Sequence, residues 1–349
     1  MRLGVSLGYL LGRDAVELAD YVRTAEALGY SVAWAAEAYG SDAPTVLGYL
    51  AAGTRRIDLG AAVMQIPARS PAMTAMTAAT LDLLSGGRLR LGLGVSGPQV
   101  SEGWHGVRFA KPLARTREYV EVVRLAMAGK AVRHDGEFYP LPLPDGPGKA
   151  LRLALHPVRQ SVPVYLAAIG PRNLRLTGEI ADGWLAIFFS PQYAGELLAN
   201  VEVGRTRAGR EAAPFDVAAT VPVAVGSDLE ECAAPIRPYA ALYVGGMGSR
   251  EQNFYHRLAC RMGYQAAADR VRDLYLAKQH REAMAAVPLD FIDETSLLGP
   301  PQRIAERLHA YAEAGVTTLS VATFAATAAE RLATLRQVAE ALDASGLGD

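Results

Sequence analysis

The sequence offers little sulfur chemistry: among 349 residues only Cys232 and Cys260 are cysteines, without pair spacing, which excludes a disulfide framework and a thiolate metal site. Histidine is nearly as sparse. His105, His134, His156, His256, His280 and His309 show no HExxH or HxH spacing, so no metal is expected. A formal net charge of −1 supplies no basic field for nucleic acid or an anionic membrane. No stretch approaches the roughly 18 consecutive apolar residues of a membrane span. The opening MRLGVSLGYL carries no charged-then-apolar leader pattern, so a soluble cytoplasmic protein is expected. A G-x-S-x-G elbow is also missing, and with it that route to a nucleophilic serine.

What is abundant is apolar sequence, half of all residues, arranged in a regular alternation. Strand-like runs at 2–7, 31–36, 56–64, 88–95, 163–168, 183–188 and 317–321 are separated by helix-period segments near 14–28, 43–53, 71–84, 112–128, 172–180 and 325–344. Such alternation predicts parallel strands joined by crossover helices. Three joints, EALGYSVAW (26–34), EIADGWLAI (179–187) and EAGVTTLSV (313–321), each end a helix near a glycine, as a left-handed C-cap would. About eight such units fit, so a closed (β/α)8 TIM barrel is more economical than an open sheet. Two stretches break the rhythm. AVRHDGEFYPLPLPDGPGKALRLA, at 131–154, reads as a surface hairpin insertion turning at Asp-Gly. Residues 246–290 place apolar side chains at helical spacing and read as an extra helical pair. Residues 1–349 are therefore expected to form one barrel domain with two insertions.

In such a barrel the chemistry sits at the C-terminal ends of the strands, here Ser6 to Tyr9, Ala36 to Tyr39, Ala62 to Gln65, Gly94 to Ser96 and Ala167 to Gly170. Only Glu37 is charged in that set. The rest is small: Ala61, Ala62, Gly92, Gly94, Ala167 and Ala168 suggest a flat ligand pressed against backbone, as a planar cofactor would be. AAIGPRNLRL (167–176) carries a strand into Gly170-Pro171 and a helix start, where free N–H groups form an anion site suited to phosphate. GLGVSG (92–97) matches G-x-G-x-x-G, but PQVSEGWHGVRFAKP after it does not look like a helix start, and no acidic residue closes a second strand about 20 residues on, as a dinucleotide fold requires.

LDLLSGGRLRLGLGVSG (81–97), REYVEVVRLAMAG (117–129), YLAAIGPRNLRLTGEIADGWL (165–185) and YVGGMGSREQNFYHRLACRMGY (243–264) resemble the bacterial luciferase-like superfamily. More narrowly they resemble its actinobacterial F420-dependent oxidoreductases, related to methylenetetrahydromethanopterin reductase. The resemblance covers essentially the whole chain. It implies a barrel that binds coenzyme F420, a deazaflavin, with its phosphate at Ala168, Ile169, Gly170, Pro171, Arg172 and Asn173. It also implies a non-prolyl cis peptide at Ala62-Val63 backing the ring, with Met64 and Gly94 beside it. Departures matter too. Where relatives that oxidise sugar phosphates and alcohols carry an Asp-His pair, this chain has Glu37-Ala38, and Ser6 replaces the glutamate of the methanogenic reductases.

The resulting expectation is an F420H2-dependent reductase acting on an activated C=C, C=N or C=O of a small molecule or modified peptide, with Glu37 and then Tyr39 as candidate proton donors or substrate contacts. Deazaflavin C5 is carbon, which disfavours oxygen activation. Rival readings are an FMN-dependent luciferase-like monooxygenase and a non-catalytic cofactor-binding barrel. Trp104, His105, Tyr243, Met247, Phe254 and Tyr255 are available to roof the pocket, and family habit points to a homodimer.

Overall fold

The computed structural model describes residues 1–8, 14–155, 158–159 and 161–348; Tyr9 and His156 lie outside them. Eight parallel strands form a closed barrel: β1 (Arg2–Gly8), β2 (Val32–Ala35), β3 (Asp58–Ala61), β4 (Leu89–Gly94), β5 (Val164–Ala167), β6 (Gly183–Ile187), β7 (Asp216–Val225) and β8 (Thr318–Thr323). Strand β8 pairs with both β7 and β1, which closes the sheet. Short strands at Met64–Gln65 and Leu297–Gly299 extend it beside the ends of β4 and β7. The surrounding helices include α1 (Ala15–Ala27), α2 (Ala43–Gly53), α3 (Pro71–Ser85), α4 (Pro112–Met127), α5 (Pro171–Ile180), α6 (Ala194–Arg207), α7 (Pro301–Glu313) and α8 (Ala328–Ser345). No helix among the described residues is long and apolar enough to cross a membrane.

Local sequence explains where these helices begin. Asp14, Asp42 and Ser70 accept from first-turn N–H groups of α1, α2 and α3, and Thr327 with Glu330 forms a capping box on α8, each satisfying donors that helix geometry leaves free. Two of the three glycine joints behave as expected, with Gly29 at φ 82 and Gly315 at φ 93. The third does not. Helix α5 ends at Ile180 and Gly183 lies inside β6, where a Cβ would collide with the Tyr165 ring; that glycine serves packing, not a left-handed turn.

The insertions also differ from expectation. The 131–154 stretch holds a single antiparallel bridge, His134 to Leu141, and otherwise runs as loop. Instead of one helical pair, 246–290 carries short helices at Phe254–Arg261, Gln265–Leu276 and His280–Ala285, with Leu289–Glu294 following. Gly97 does open a helix, Pro98–Gly103, contrary to the reading of that segment, yet the closed barrel around it is not a dinucleotide fold.

Alternate strand residues point into the barrel, and their size changes along its axis. At the N-terminal end Arg90 bridges Asp58 and Asp216 at 2.8 and 2.9 Å, and Tyr165 donates to Asp216 at 2.9 Å. Trp34 and Tyr165 stack edge to face above this floor with ring centres 5.2 Å apart. Higher up, Ser6, Ala36, Ala62, Ala167, Thr220 and Ala322 are small and partly exposed. The barrel is thus plugged below and open at its C-terminal mouth.

Outside the barrel, Glu26 Oε1 accepts from the N–H groups of Arg55, Arg56 and Ile57 at 2.8, 2.6 and 3.0 Å. Burial opposes its ionisation, but these donors outweigh burial and hold the carboxyl below its ordinary range. A depressed folded value stabilises above the unfolded value, about 4.3, and is lost as pH falls through the folded one. Glu26→Gln should therefore cost about 1 kcal/mol near neutral pH, a difference that closes below about pH 4. Urea midpoints of both proteins across that range measure it.

Candidate active site

The mouth is shaped first by what β4 lacks. A Cβ on Gly94 would lie 2.5 Å from Val63 Cγ2, and one on Gly92 would collide with the Ala61 carbonyl. Neither position admits a side chain, so the chain after β3 lies flush against β4. There the Ala62–Val63 peptide is cis, at the bond the resemblance implied. Ala62 and Val63 are partly exposed at the mouth, whereas the Met64 side chain is buried in the main core.

The loop after β5 forms the second part. Its carbonyls are held by side chains from three elements: Asn173 Nδ2 donates to Ala167 O at 3.2 Å, Trp184 Nε1 to Ala168 O at 2.9 Å, and Arg261 Nη2 to Ile169 O at 3.1 Å. Gly170 is the N-cap of α5 and Pro171 its first residue. Leu174 N bonds Gly170 O, which leaves the Arg172 and Asn173 N–H groups without an intrahelical acceptor. A Cβ on Gly170 would meet nothing within 4 Å, and the Arg172 side chain is exposed. Two oriented donors, a helix N-terminus and a cation thus share one open surface, the composition of an anion site. Arg261 Nε, buried beside it, has no hydrogen-bond partner among the described residues.

The third part is a buried clamp after β2. Glu37 is 9% exposed, and both its oxygens are engaged. Arg69 Nη1 and Nη2 donate to them at 2.7 and 3.0 Å, Gln65 N at 3.1 Å and Ala43 N at 3.0 Å. Burial works against the Arg69 charge, and Glu37 more than offsets it, raising the guanidinium above its ordinary range. The candidate proton donor of the sequence therefore ties the segment after β2 to the segment after β3. Tyr39, the next candidate, is 60% exposed and makes none of these contacts.

Across the mouth, Phe188 adopts φ 51 and stacks on Tyr239 with centres 5.1 Å apart, while Tyr243 and Tyr255 meet at 4.8 Å. Of the suggested roof, Tyr243 and Tyr255 join this aromatic wall, and Trp104 stands exposed. His105 bonds Gln65. Sequence reasoning missed Arg69 and Arg261, which lie 32 and 92 residues from the groups they hold; only their chain-distant partners give them meaning. Among the described residues no three His, Cys, Asp or Glu side chains converge as a metal site requires.

Fold and site together define a parallel (β/α)8 barrel with small residues at its strand ends and, beside them, a helix start whose Arg172 and Asn173 N–H groups have no intrahelical acceptor. Residues 2–318 match the luciferase-like monooxygenase family. A Mycobacterium tuberculosis protein assigned as a coenzyme F420-dependent oxidoreductase is 42% identical over 342 residues, covering 96% of this chain and 99% of its own. The 5,10-methylenetetrahydromethanopterin reductase of Archaeoglobus fulgidus is 31% identical, covering 86% and 87%. The chain belongs to the luciferase-like family, on its branch of F420-dependent oxidoreductases. In fold, the F420-dependent tetrahydromethanopterin reductase of Methanopyrus kandleri superposes with a TM-score of 0.83 at 24% identity, covering 97% of each chain. An F420-dependent secondary alcohol dehydrogenase superposes at 0.79 with 17% identity, covering 98% and 99%.

Proposed function

We propose that this protein is an F420H2-dependent reductase of an activated C=C, C=N or C=O in a small molecule or modified peptide. The observation that carries the cofactor is the start of α5, where Arg172 and Asn173 offer free N–H donors beside an exposed guanidinium, a fit for the anionic tail of F420. When bound, the reduced deazaflavin supplies hydride from C5. This chain's residues do the rest. Ala62, Val63 and Gly94 give a planar group a surface free of bulk, and Ala168 to Asn173 hold the phosphate. The pinned carbonyls of Ala167, Ala168 and Ile169 keep that loop in one shape, which lowers the ordering cost of binding. Phe188, Tyr239, Tyr243 and Tyr255 wall the opposite side with rings suited to an apolar acceptor.

Mixing purified protein with F420H2 and a panel of enone, imine and dehydroamino-acid acceptors tests this. Acceptor-dependent return of the oxidised deazaflavin spectrum is expected. Turnover with reduced FMN and oxygen, and none with F420H2, would overturn it.

The protein is further expected to act as a homodimer. Met73, Met76, Leu83 and Leu84 are about half exposed and recur on one face of α3, a spacing that builds one apolar stripe. Met76→Asp should convert dimer to monomer of 37.1 kDa in light scattering. A wild type already monomeric would refute the interface.

A further inference from the structure

The clamp around Glu37 ends on an imidazole. Gln65 is 4% exposed and sits at the mouth, two residues after Val63 and in register with Gly94. Its Nε2 donates to the Glu37 carbonyl at 3.1 Å. A carbonyl can only accept, so this bond fixes which end of the Gln65 amide is nitrogen and turns Oε1 the other way. There Oε1 lies 2.7 Å from His105 Nε2. An amide oxygen also only accepts, so Nε2 carries a proton whether the ring is neutral or cationic. The exchangeable position is therefore Nδ1, which has no hydrogen-bond partner among the described residues.

The other described histidines are placed differently. Both nitrogens of His134 are bonded, to Tyr139 O and Glu121. His256 contacts Asp269, Arg272 and Cys260. His280 packs on the Tyr275 ring, and His309 lies on α7. Among them, only His105 is bonded to a strand-end residue of the mouth.

We propose that His105 is the proton-transfer residue of the reaction, with Gln65 and Glu37 as positioning residues; this rests on the reductase reading above. As the acceptor takes hydride at one end of its double bond, a C–H bond forms and the π pair moves to the other end. That atom takes the proton from His105 Nδ1, leaving a neutral ring still protonated at Nε2, and water returns the proton to Nδ1. Glu37 need give up none of its bonds. Its four donors fix the Glu37 carboxylate, while its main-chain carbonyl holds the Gln65 amide, and through Gln65 the ring, in one orientation.

Two readouts test this. In cofactor-free protein labelled with 15N-histidine, long-range 1H–15N NMR should show one imidazole, absent from His105→Gln, as the Nε2–H tautomer, and Gln65→Leu should release it to a tautomer mixture. A His105 ring protonated at Nδ1 and bare at Nε2 overturns the proposal without reference to any substrate. With F420H2 and cyclohex-2-en-1-one as probe, His105→Ala and His105→Gln should each lower kcat by about 100-fold or more, keep the F420 Kd within about two-fold, and His105→Ala should recover rate with added imidazole. Rates within about three-fold of wild type in both variants also overturn it. Wild-type protein that fails to bind F420 instead refutes the reductase reading, and the tautomer measurement still judges the geometry.

Discussion

Gly170→Asp should abolish F420 binding while leaving the barrel as stable as before. Both halves follow from one position. Gly170 caps α5, and a Cβ there would meet nothing within 4 Å, so aspartate enters without a clash. Aspartate is also a favourable N-cap, worth a few tenths of a kcal/mol over glycine, because its carboxylate accepts from the N–H groups that α5 leaves free. Those are the donors assigned to the cofactor's phosphate. The new carboxylate therefore occupies the anion site and repels its guest, for a loss of affinity of about 100-fold or more, on the order of 3 kcal/mol. Binding titration with a parallel thermal melt reads both effects. Unchanged affinity at unchanged stability would remove this loop from the cofactor site.

Arg90→Met should cost about 3–5 kcal/mol, because it strips one partner from a buried charge. Asp216 is 8% exposed and accepts from Arg90, Tyr165, Thr317 and Thr318. Burial and then Asp216 push the Tyr165 hydroxyl well above its ordinary range, so the phenol remains a donor. Removing the guanidinium leaves that carboxylate facing hydroxyls and a half-exposed Arg2 at 3.3 Å. A fall in Tm on the order of 10 °C is expected, and Arg90→Met combined with Asp216→Asn should recover part of it, since the buried Asp216 charge is then gone and the carboxylate left without Arg90 is the partly exposed Asp58. A loss under about 1 kcal/mol would mean that water reaches the floor and screens it.

Most of the barrel is legible in the sequence because its signals are local. Caps such as Ser70 and Thr327, the glycines at 29 and 315, and the period of the apolar residues all act within one or two turns of chain. Gly183 shows where that reading stops. Its sequence context matches the other two joints, but its reason is the Tyr165 ring on a neighbouring strand, which no window of sequence contains. The 246–290 segment shows helical period without showing where each short helix ends.

The same division runs through the site. Gly170, Pro171, Arg172 and Asn173 are contiguous, so their anion geometry can be read in a line. Glu37 is visible as the charged residue at the strand ends, but its commitment to Arg69, Ala43 and Gln65 depends on the segments after β2 and β3 meeting. The sequence offers His105 only as one of several residues that could roof the pocket; its link to Glu37 emerges once Gln65, 40 positions earlier, is seen bonded to both. The proposed cofactor surface is thus more legible in the sequence than the proposed proton path.

The most direct test of cofactor identity is a paired equilibrium titration of the purified protein with F420 and with FMN, followed by fluorescence. Saturable binding of F420, with FMN binding far weaker or absent, is the expected result. Tight FMN binding with no F420 binding would contradict it.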